Sequence, residues 1–526
     1  MQRNSNRVMN LAHFLEQSAR RFPDMPGLVW GDAEWSWSAL NARVNAMARA
    51  LVEIHGVQKG DRIVVQSHNC NQVFESAFAC WRVGAIWVPA NFRGSPDDLS
   101  WIVRSSGAKG MIIQSVFADH ASHCADDLEF MISIGASGFG TDYDALVDQY
   151  QDATTPLCDA EYDDPCWLFY TSGTTGFPKA AVLTHGQMAF VVTNHLSDLM
   201  PGTTENDASI AVAPMSHGAG VHMLMQVARG VPTILPASIG FDAEEIWQLI
   251  ERWRVSNLFS VPTIVKMLVE HPAVDSVDHS SLRHVIYAGA PMYRTDQIAA
   301  LEKLGPVLVQ YFGLGEVTGA ITVLRPDLHE DGSTEARREG TCGTARTGMQ
   351  IQIQDANGHE VAPSETGEFC IIGPAVFSGY WDNPNANAEA FRNGWFCTGD
   401  VGHMDADGFF YLTGRKSDMY ISGGSNIYPR ETEEKFLLHP AISEVAIFGY
   451  PDPKWGEIGI AVCVPAKGQT IEAEGLRNWL TGKVASYKMP KSIVFWDELP
   501  KSGYGKITKK LVRAEYERRL AEGAET

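Results

Sequence analysis

Short apolar runs rich in β-branched residues alternate with amphipathic stretches along most of this chain. Residues 11–21 and 39–54 repeat apolar positions three and four apart, the spacing of one helix face. Residues 62–66 follow the turn signal Lys59-Gly60-Asp61 and read as a strand. Residues 75–83 then read as helix, 85–88 as strand, 99–106 as helix and 111–114 as strand. Helix and strand in turn imply βαβ units around a largely parallel sheet. A second series starts near Ser209, with strands at 209–213, 232–235, 257–260 and 284–287 and helices after Gly220 and at 243–253.

From about Gly340 the pattern changes. Residues 349–355, 367–372 and 408–413 are short alternating runs separated by Gly, Pro and Asn, which predicts antiparallel strands. From about Ser417 the chain reads as a small α+β unit, with helices at 429–439 and 471–483 and strands at 442–449 and 459–465. The expected fold is therefore α/β. Residues 1–416 form a large N-terminal domain of βαβ sheets plus a β-rich subdomain, and 417–526 a small C-terminal α+β domain. A chain of 526 residues needs more than one hydrophobic core.

Charge narrows the partners. With 42 basic against 63 acidic residues, the net charge of −21 disfavours nucleic acid and anionic membrane surfaces. An anionic ligand must then be met by local donors. The nine cysteines are scattered and never form a CxxC pair, which predicts reduced thiols, and His120 and His123 read as surface residues rather than zinc ligands. Met1 to Asn10 lacks an apolar signal core, and Glu522 to Thr526 is no prenylation or peroxisomal signal. Residues 209–228 carry no charge but contain Pro214, His217 and Gln226, so they read as a buried strand, loop and helix, not an integral membrane segment. A cytoplasmic location is expected. The sequence does not decide whether the chain forms a homo-oligomer.

The chemistry concentrates in residues 170–185, YTSGTTGFPKAAVLTH, where five hydroxyl side chains and two glycines precede Lys179. Glycines let backbone N–H groups approach phosphate oxygens, hydroxyls add donors, and the lysine adds charge. The Walker pattern fails here because Pro178 stands where its second glycine belongs; the dinucleotide pattern fails at Gly313 because its last position is Thr318. A Ser/Thr/Gly stretch of this kind is otherwise a linker. A linker rarely has a strand-like run on each side, as 166–169 and 180–183 are.

At these residues the sequence resembles the adenylate-forming enzymes: acyl-CoA synthetases, adenylation domains and beetle luciferases. TSGTTGFPK matches that family's phosphate loop at every position. Further motifs follow in the family's order: PMSHG at 214–218, GAP at 289–291, residues 310–316, 367–381, TGD at 398–400, GR at 414–415, 421–431 and 500–506. The resemblance implies ATP, Mg²⁺ and coenzyme A as reactants alongside a small-molecule carboxylic acid. It places Thr171, Ser172, Gly173, Thr174, Thr175, Gly176 and Lys179 on the phosphates, with Glu316 and Thr171 at the metal. Asp400 would accept from the ribose hydroxyls, supported by Arg415. Gly289, Ala290 and Pro291 would wall the adenine, with Tyr311, Phe312 and Gly313 on its other side and the Phe312 ring stacked on it. Lys506 would reach the carboxylate and α-phosphate, and His217 would gate the acyl site. The small domain would rotate after adenylation and present Ser422, Gly423 and Gly424 to the pantetheine arm, with basic residues around Lys488 and Lys491 near the CoA phosphates.

Outside that context Asp400 is a turn residue, Lys506 a surface lysine and His217 a packing histidine. Three positions depart from the family: Gly315 replaces a threonine before the metal-binding glutamate, Ser417 stands at the hinge, and Tyr504 precedes Gly505. The implied activity is acyl-CoA synthesis from a fatty or aromatic acid through an acyl-adenylate. Met215, Val221, Met223 and Met225 suggest an apolar wall for that acid. The competing readings are transfer to a carrier protein, a luciferase-like oxygenase, and a nucleotide-binding protein without catalysis. The expectation that no carrier domain follows Lys506, together with the resemblance of ISGGSNIY at 421–428 to the CoA-ligase form, favours CoA.

Overall fold

Residues 62–66 form the strand Arg62–Gln66, and its burial at four of five positions marks it as interior to a sheet. The computed structural model describes residues 8–171, 178–290, 292–329, 338, 340–501 and 507–523. Among these the strands build three sheets. The first runs Thr141–Asp142, Phe130–Ile134, Gly110–Gln114, Arg62–Gln66, Ile86–Pro89, Pro165–Thr171 and Lys179–Thr184. Its strands are parallel apart from the last, which returns antiparallel beside Pro165–Thr171. The expected flanking runs are thus one hairpin, and Thr171 pairs with Lys179 at its mouth.

The helix after Arg62–Gln66 starts at Asn71, four residues before the apolar pattern begins. Asn71 and Gln72 are buried polar residues that donate to Glu75 Oε1 (2.9 Å) and Asp144 Oδ2 (3.0 Å). Hydrogen bonds therefore hide two polar residues where periodicity anticipates solvent.

The second sheet has a parallel half, Pro26–Trp30, Thr233–Leu235, Ser209–Ile210, Asn257–Ser260, His284–Tyr287 and Leu308–Phe312. It continues antiparallel through Thr322–Leu324, Thr341–Ala345, Phe410–Arg415, Trp395–Met404, Gly367–Ile372 and Gln350–Gln354. The change of pattern expected near Gly340 is a change of pairing, and it begins at Thr322. Residues 209–228 divide into the strand Ser209–Ile210, a loop around Pro214 and the helix Gly218–Arg229. No described helix is long and apolar enough to cross a membrane.

The third sheet carries Ser425–Ile427, Tyr420–Ser422, Gly456–Pro465, Ile442–Asp452 and Ser492–Phe495. Helices Pro429–Leu437 and Ala473–Leu480 cover one face around Phe436, Leu476 and Leu480. Helix Lys509–Ala521 covers the other through Val512 and Tyr516. Ser417 lies in the short turn Lys416–Asp418, between the second sheet and the third.

Candidate active site

Glu316 sits in the turn Gly315–Val317, just past the end of the parallel strand Leu308–Phe312, and is 5% exposed. Its Oε1 accepts hydrogen bonds from Tyr380 Oη (2.8 Å) and Thr171 Oγ1 (3.2 Å). Its Oε2 is buried with no hydrogen-bond partner among the described residues. A buried carboxylate oxygen without a donor is costly unless a cation or water meets it. An oxygen ligand beside a hydroxyl fits Mg²⁺, which keeps several water or phosphate oxygens of its own.

Tyr380 is a member of this site that the motifs did not single out. Its ring lies 5.3 Å under Lys179 Nζ while its hydroxyl holds Glu316. Burial, with the Glu316 charge beside it, pushes its phenol well above the usual range, so it stays a donor. It reaches the site through a backbone bridge, Ala181 to Tyr380, that joins the phosphate-loop hairpin to the segment 375–381.

Asp400 is 5% exposed and lies opposite Arg415 in the register of Trp395–Met404 against Phe410–Arg415. Arg415 Nε donates to Asp400 Oδ1 at 3.1 Å, whereas Asp400 Oδ2 is buried and unpartnered among the described residues. Burial raises the Asp400 carboxyl above the usual range, and the Arg415 charge opposes that rise. Two expected residues thus come together with one oxygen left over for a ligand.

Gly289 and Ala290 are exposed just beyond the strand His284–Tyr287, and Phe312 ends the neighbouring parallel strand. Tyr287 pairs with Gln310, so two residues further on Gly289 comes level with Phe312. Both sit at the carboxyl edge of a parallel sheet, where open α/β folds take ligands. Gly289 has φ +84°, open to glycine at little cost. A Cβ at Gly313 would lie 2.4 Å from Gly319 Cα, so a close backbone approach requires glycine there. Tyr311 faces the opposite side of its strand, against His222 and Phe259, so only its backbone is available to a nucleotide beside Phe312.

The departure at Gly315 has a packing reason. A Cβ there would stand 2.6 Å from Phe169 Cδ1 and 2.9 Å from Thr171 Cγ2. The space for a side chain is occupied. Phe169 also lies 4.6 Å from the ring of His217, the residue just before the helix Gly218–Arg229.

Ser422, Gly423 and Gly424 form the turn of the hairpin joining Tyr420–Ser422 to Ser425–Ile427. Gly423 and Gly424 have φ +57° and +84°, which a two-residue hairpin turn of this hand requires. Trp455 packs against Gly423 and carries Lys454 and Lys491 over its ring at 5.1 and 5.5 Å. Lys488 is instead paired with Glu431 at 2.5 Å. Ser172, Gly173, Thr174, Thr175, Gly176, Pro291, Tyr504 and Lys506 lie outside the described residues; the backbone bridge from Lys501 to Ile507 brackets the last two.

One cluster was invisible in the scattered cysteines. Cys370 and Cys397 pair across adjacent strands with Sγ atoms 3.6 Å apart, and Glu368 joins them within 4.8 Å. Arg392 Nη2 stands 3.5 Å from Cys370 Sγ and 3.7 Å from Glu368, a charge that opposes a metal cation.

Residues 15–381 match the AMP-binding enzyme family, and 431–506 match the C-terminal domain of AMP-binding enzymes. The chain belongs to the AMP-binding enzyme family. A feruloyl-CoA synthase of Amycolatopsis sp is 35% identical over 512 residues, covering 97% of this chain and 100% of that protein. An indoleacetate–CoA ligase of Aromatoleum aromaticum is 31% identical, covering 96% and 98%. Among solved structures of AMP-binding enzymes, the o-succinylbenzoate CoA synthetase of Bacillus subtilis, in complex with its acyl-adenylate intermediate, superposes with a TM-score of 0.83. It is 28% identical and covers 94% of this chain and 97% of that one. All three relatives join an acid to CoA by name, so this AMP-binding enzyme keeps company with acid–thiol ligases.

Proposed function

We propose that this chain is an ATP-dependent acyl-CoA synthetase that activates an aromatic or fatty carboxylic acid as its adenylate and transfers the acyl group to coenzyme A. The observation that carries it is a pair of buried carboxylates, Glu316 and Asp400, each with one oxygen held by the protein and one unpartnered among the described residues. Such oxygens are ready for a cation and for hydroxyl donors, and ATP bound with Mg²⁺ supplies both.

In the first half-reaction a carboxylate oxygen of the acid bonds to the α-phosphorus of ATP, and the bond to the bridging oxygen breaks with loss of pyrophosphate. Two anions meet, so charge neutralisation is the main task. Mg²⁺ supplies Lewis-acid charge at the phosphates. Thr171 and Glu316 hold the metal side, with Tyr380 orienting Glu316. Lys179 and the loop 172–176 hold the β- and γ-phosphates. Asp400 accepts from the ribose, Phe312 stacks on the adenine against Gly289, Ala290 and Pro291, and Lys506 neutralises the carboxylate and α-phosphate.

In the second half-reaction the CoA sulfur bonds to the acyl carbon, and the bond to AMP breaks. The residues from 417 onward form a domain that turns about Ser417, withdrawing Lys506 and presenting Ser422, Gly423 and Gly424. The Trp455 platform with Lys454 and Lys491 offers both a flat face and positive charge for CoA. The boundary at 417 is supported by a separate sheet with cores on both faces, beginning just beyond the turn Lys416–Asp418. Pyrophosphate release from a panel of aryl and fatty acids, with and without CoA, tests the reading. Failure of every acid in the panel to support pyrophosphate release would sink it, as would thioester formation on a carrier protein but not on CoA.

A further inference from the structure

Five residues inward from His217, helix Gly218–Arg229 carries a second histidine, His222, that adenylation and thioester formation leave unused. At the helical rise that is about 7.5 Å further along the axis, with the side chain turned about 140° round it toward Phe259. His222 is buried, 5% exposed, and neither ring nitrogen has a hydrogen-bond partner among the described residues. Its ring lies flat on Phe259, with centroids 4.4 Å apart and planes 9° apart, and Tyr311 closes a triangle with the two at 5.9 Å from His222 and 5.8 Å from Phe259. The two nitrogens therefore sit at the edge of an aromatic wall.

His222 and Phe259 line a pocket with Met215, Met223, Gln226 and Thr233. Its free volume is about 10 Å³, room for about one water. No tunnel for a long alkyl chain is open there among the described residues. A flat ring sliding beside Phe259 displaces least, and the unbranched thioethers of Met215 and Met223 are the side chains best able to give way.

Behind His222 stands a fixed polar chain. Asp198 pairs with the buried Arg346 at 3.4 Å, and Arg346 Nη2 donates to His195 Nδ1 at 3.1 Å. The Val191 carbonyl also bonds the His195 ring, whose other nitrogen is Nε2. That Nε2 is buried and unpartnered among the described residues too, and the His195 and His222 rings meet edge to face at 5.2 Å. Burial, with Arg346 nearby, holds His195 far below the usual range and pushes His222 down to about 3, so both rings are neutral at pH 7. A neutral pair offers no countercharge to a second carboxylate. It offers a donor and an acceptor to a hydroxyl.

We propose that His222 is a specificity-determining residue that reads a neutral hydrogen-bonding substituent, a phenolic hydroxyl, at the far end of a compact aromatic acid. The assignment rests on the acyl-CoA synthetase reading, in which His217 gates the acyl site. A site built to hydrogen-bond a hydroxyl rejects the analogue lacking it, because its own buried groups are then left unpaired.

The test compares 4-hydroxycinnamic, 4-methylcinnamic and cinnamic acids in CoA-dependent pyrophosphate release. In the unaltered enzyme kcat/KM for the hydroxylated acid should exceed that for the other two by roughly tenfold or more. In His222→Leu that ratio should collapse toward one, and in His222→Asn, which keeps an amide donor and acceptor, it should fall only part of the way. The methyl analogue keeps the test decisive if His222→Leu does not fold: 4-methylcinnamic acid matching the hydroxylated acid means that size is read, and the proposal fails. It fails equally if the ratio is the same in His222→Leu as in the unaltered enzyme. If the aryl acids are inert and decanoic acid is turned over, the proposal falls while the synthetase reading stands. If no acid of any class supports pyrophosphate release, both fall.

Discussion

Asp400 and Arg415 face each other across two antiparallel strands, and the Arg415 Nε contact at 3.1 Å engages only one of the two Asp400 oxygens. The pair is a holder with a vacant side. Arg415 opposes the rise in pKa that burial imposes on Asp400 without using up both oxygens, as the proposed ribose acceptor requires.

Asp400→Asn should raise the KM for ATP by roughly 10- to 100-fold, the range for losing hydrogen bonds to a charged group. Burial raises the Asp400 pKa, so nucleotide affinity of the unaltered enzyme should weaken on acidification earlier than an ordinary carboxylate predicts. The Asp400→Asn variant should lack that limb of the pH profile. The sign for stability is opposite. A raised folded-state pKa means this carboxyl favours the fold most below its unfolded value and loses that contribution as pH rises through the folded one. Urea midpoints across pH for the two proteins measure it.

Tyr380→Phe removes the 2.8 Å donor to Glu316 Oε1 and leaves the ring under Lys179. A partner that orients a metal ligand is worth about 10- to 100-fold in metal affinity. Adenylation should therefore need that much more Mg²⁺, with the acid's KM little changed. An unaltered Mg²⁺ titration would remove Tyr380 from the site. Glu316→Gln should weaken both Mg²⁺ dependence and adenylation more severely.

Gly315→Thr, which restores the family's common residue, should not accelerate adenylation. The new Cβ meets Phe169 at 2.6 Å, and overpacking of this kind costs about 1–3 kcal/mol. The melting temperature should fall, and Phe169→Leu in the same chain should restore part of it. A faster enzyme with an unchanged melting temperature would show that the missing hydroxyl matters more than the packing.

Lys506→Ala and Gly424→Val should split the two half-reactions in opposite directions. The first should lose adenylation and still convert supplied acyl-adenylate and CoA to thioester. The second places a β-branched residue at φ +84° in the hairpin turn and should impair thioester formation while adenylate still accumulates. Equal loss of both half-reactions in either variant would contradict a domain that alternates between two faces.

Local signals were enough for much of the fold. The helix-and-strand alternation, the shift toward antiparallel strands, the separate terminal α+β sheet and the glycine-rich turns all depend on period and turn chemistry within a few residues, which the sequence carries directly. The ordered motifs pointed to Thr171, Lys179, Glu316, Asp400 and Arg415, and the structure brings Thr171 to Glu316 and Arg415 to Asp400. Register and packing decided the rest, because they depend on residues far apart in the chain. Tyr380 meets Glu316 across 64 positions, and Arg346 meets His195 across 151. Phe169 fills the space at Gly315 from another sheet, and Cys370 finds Cys397 only once their strands are paired. By sequence, His222 is one more position on a Met-rich helix face. Only the tertiary structure buries it with neither ring nitrogen partnered among the described residues, and such burial is a property of the surroundings that no residue's identity encodes.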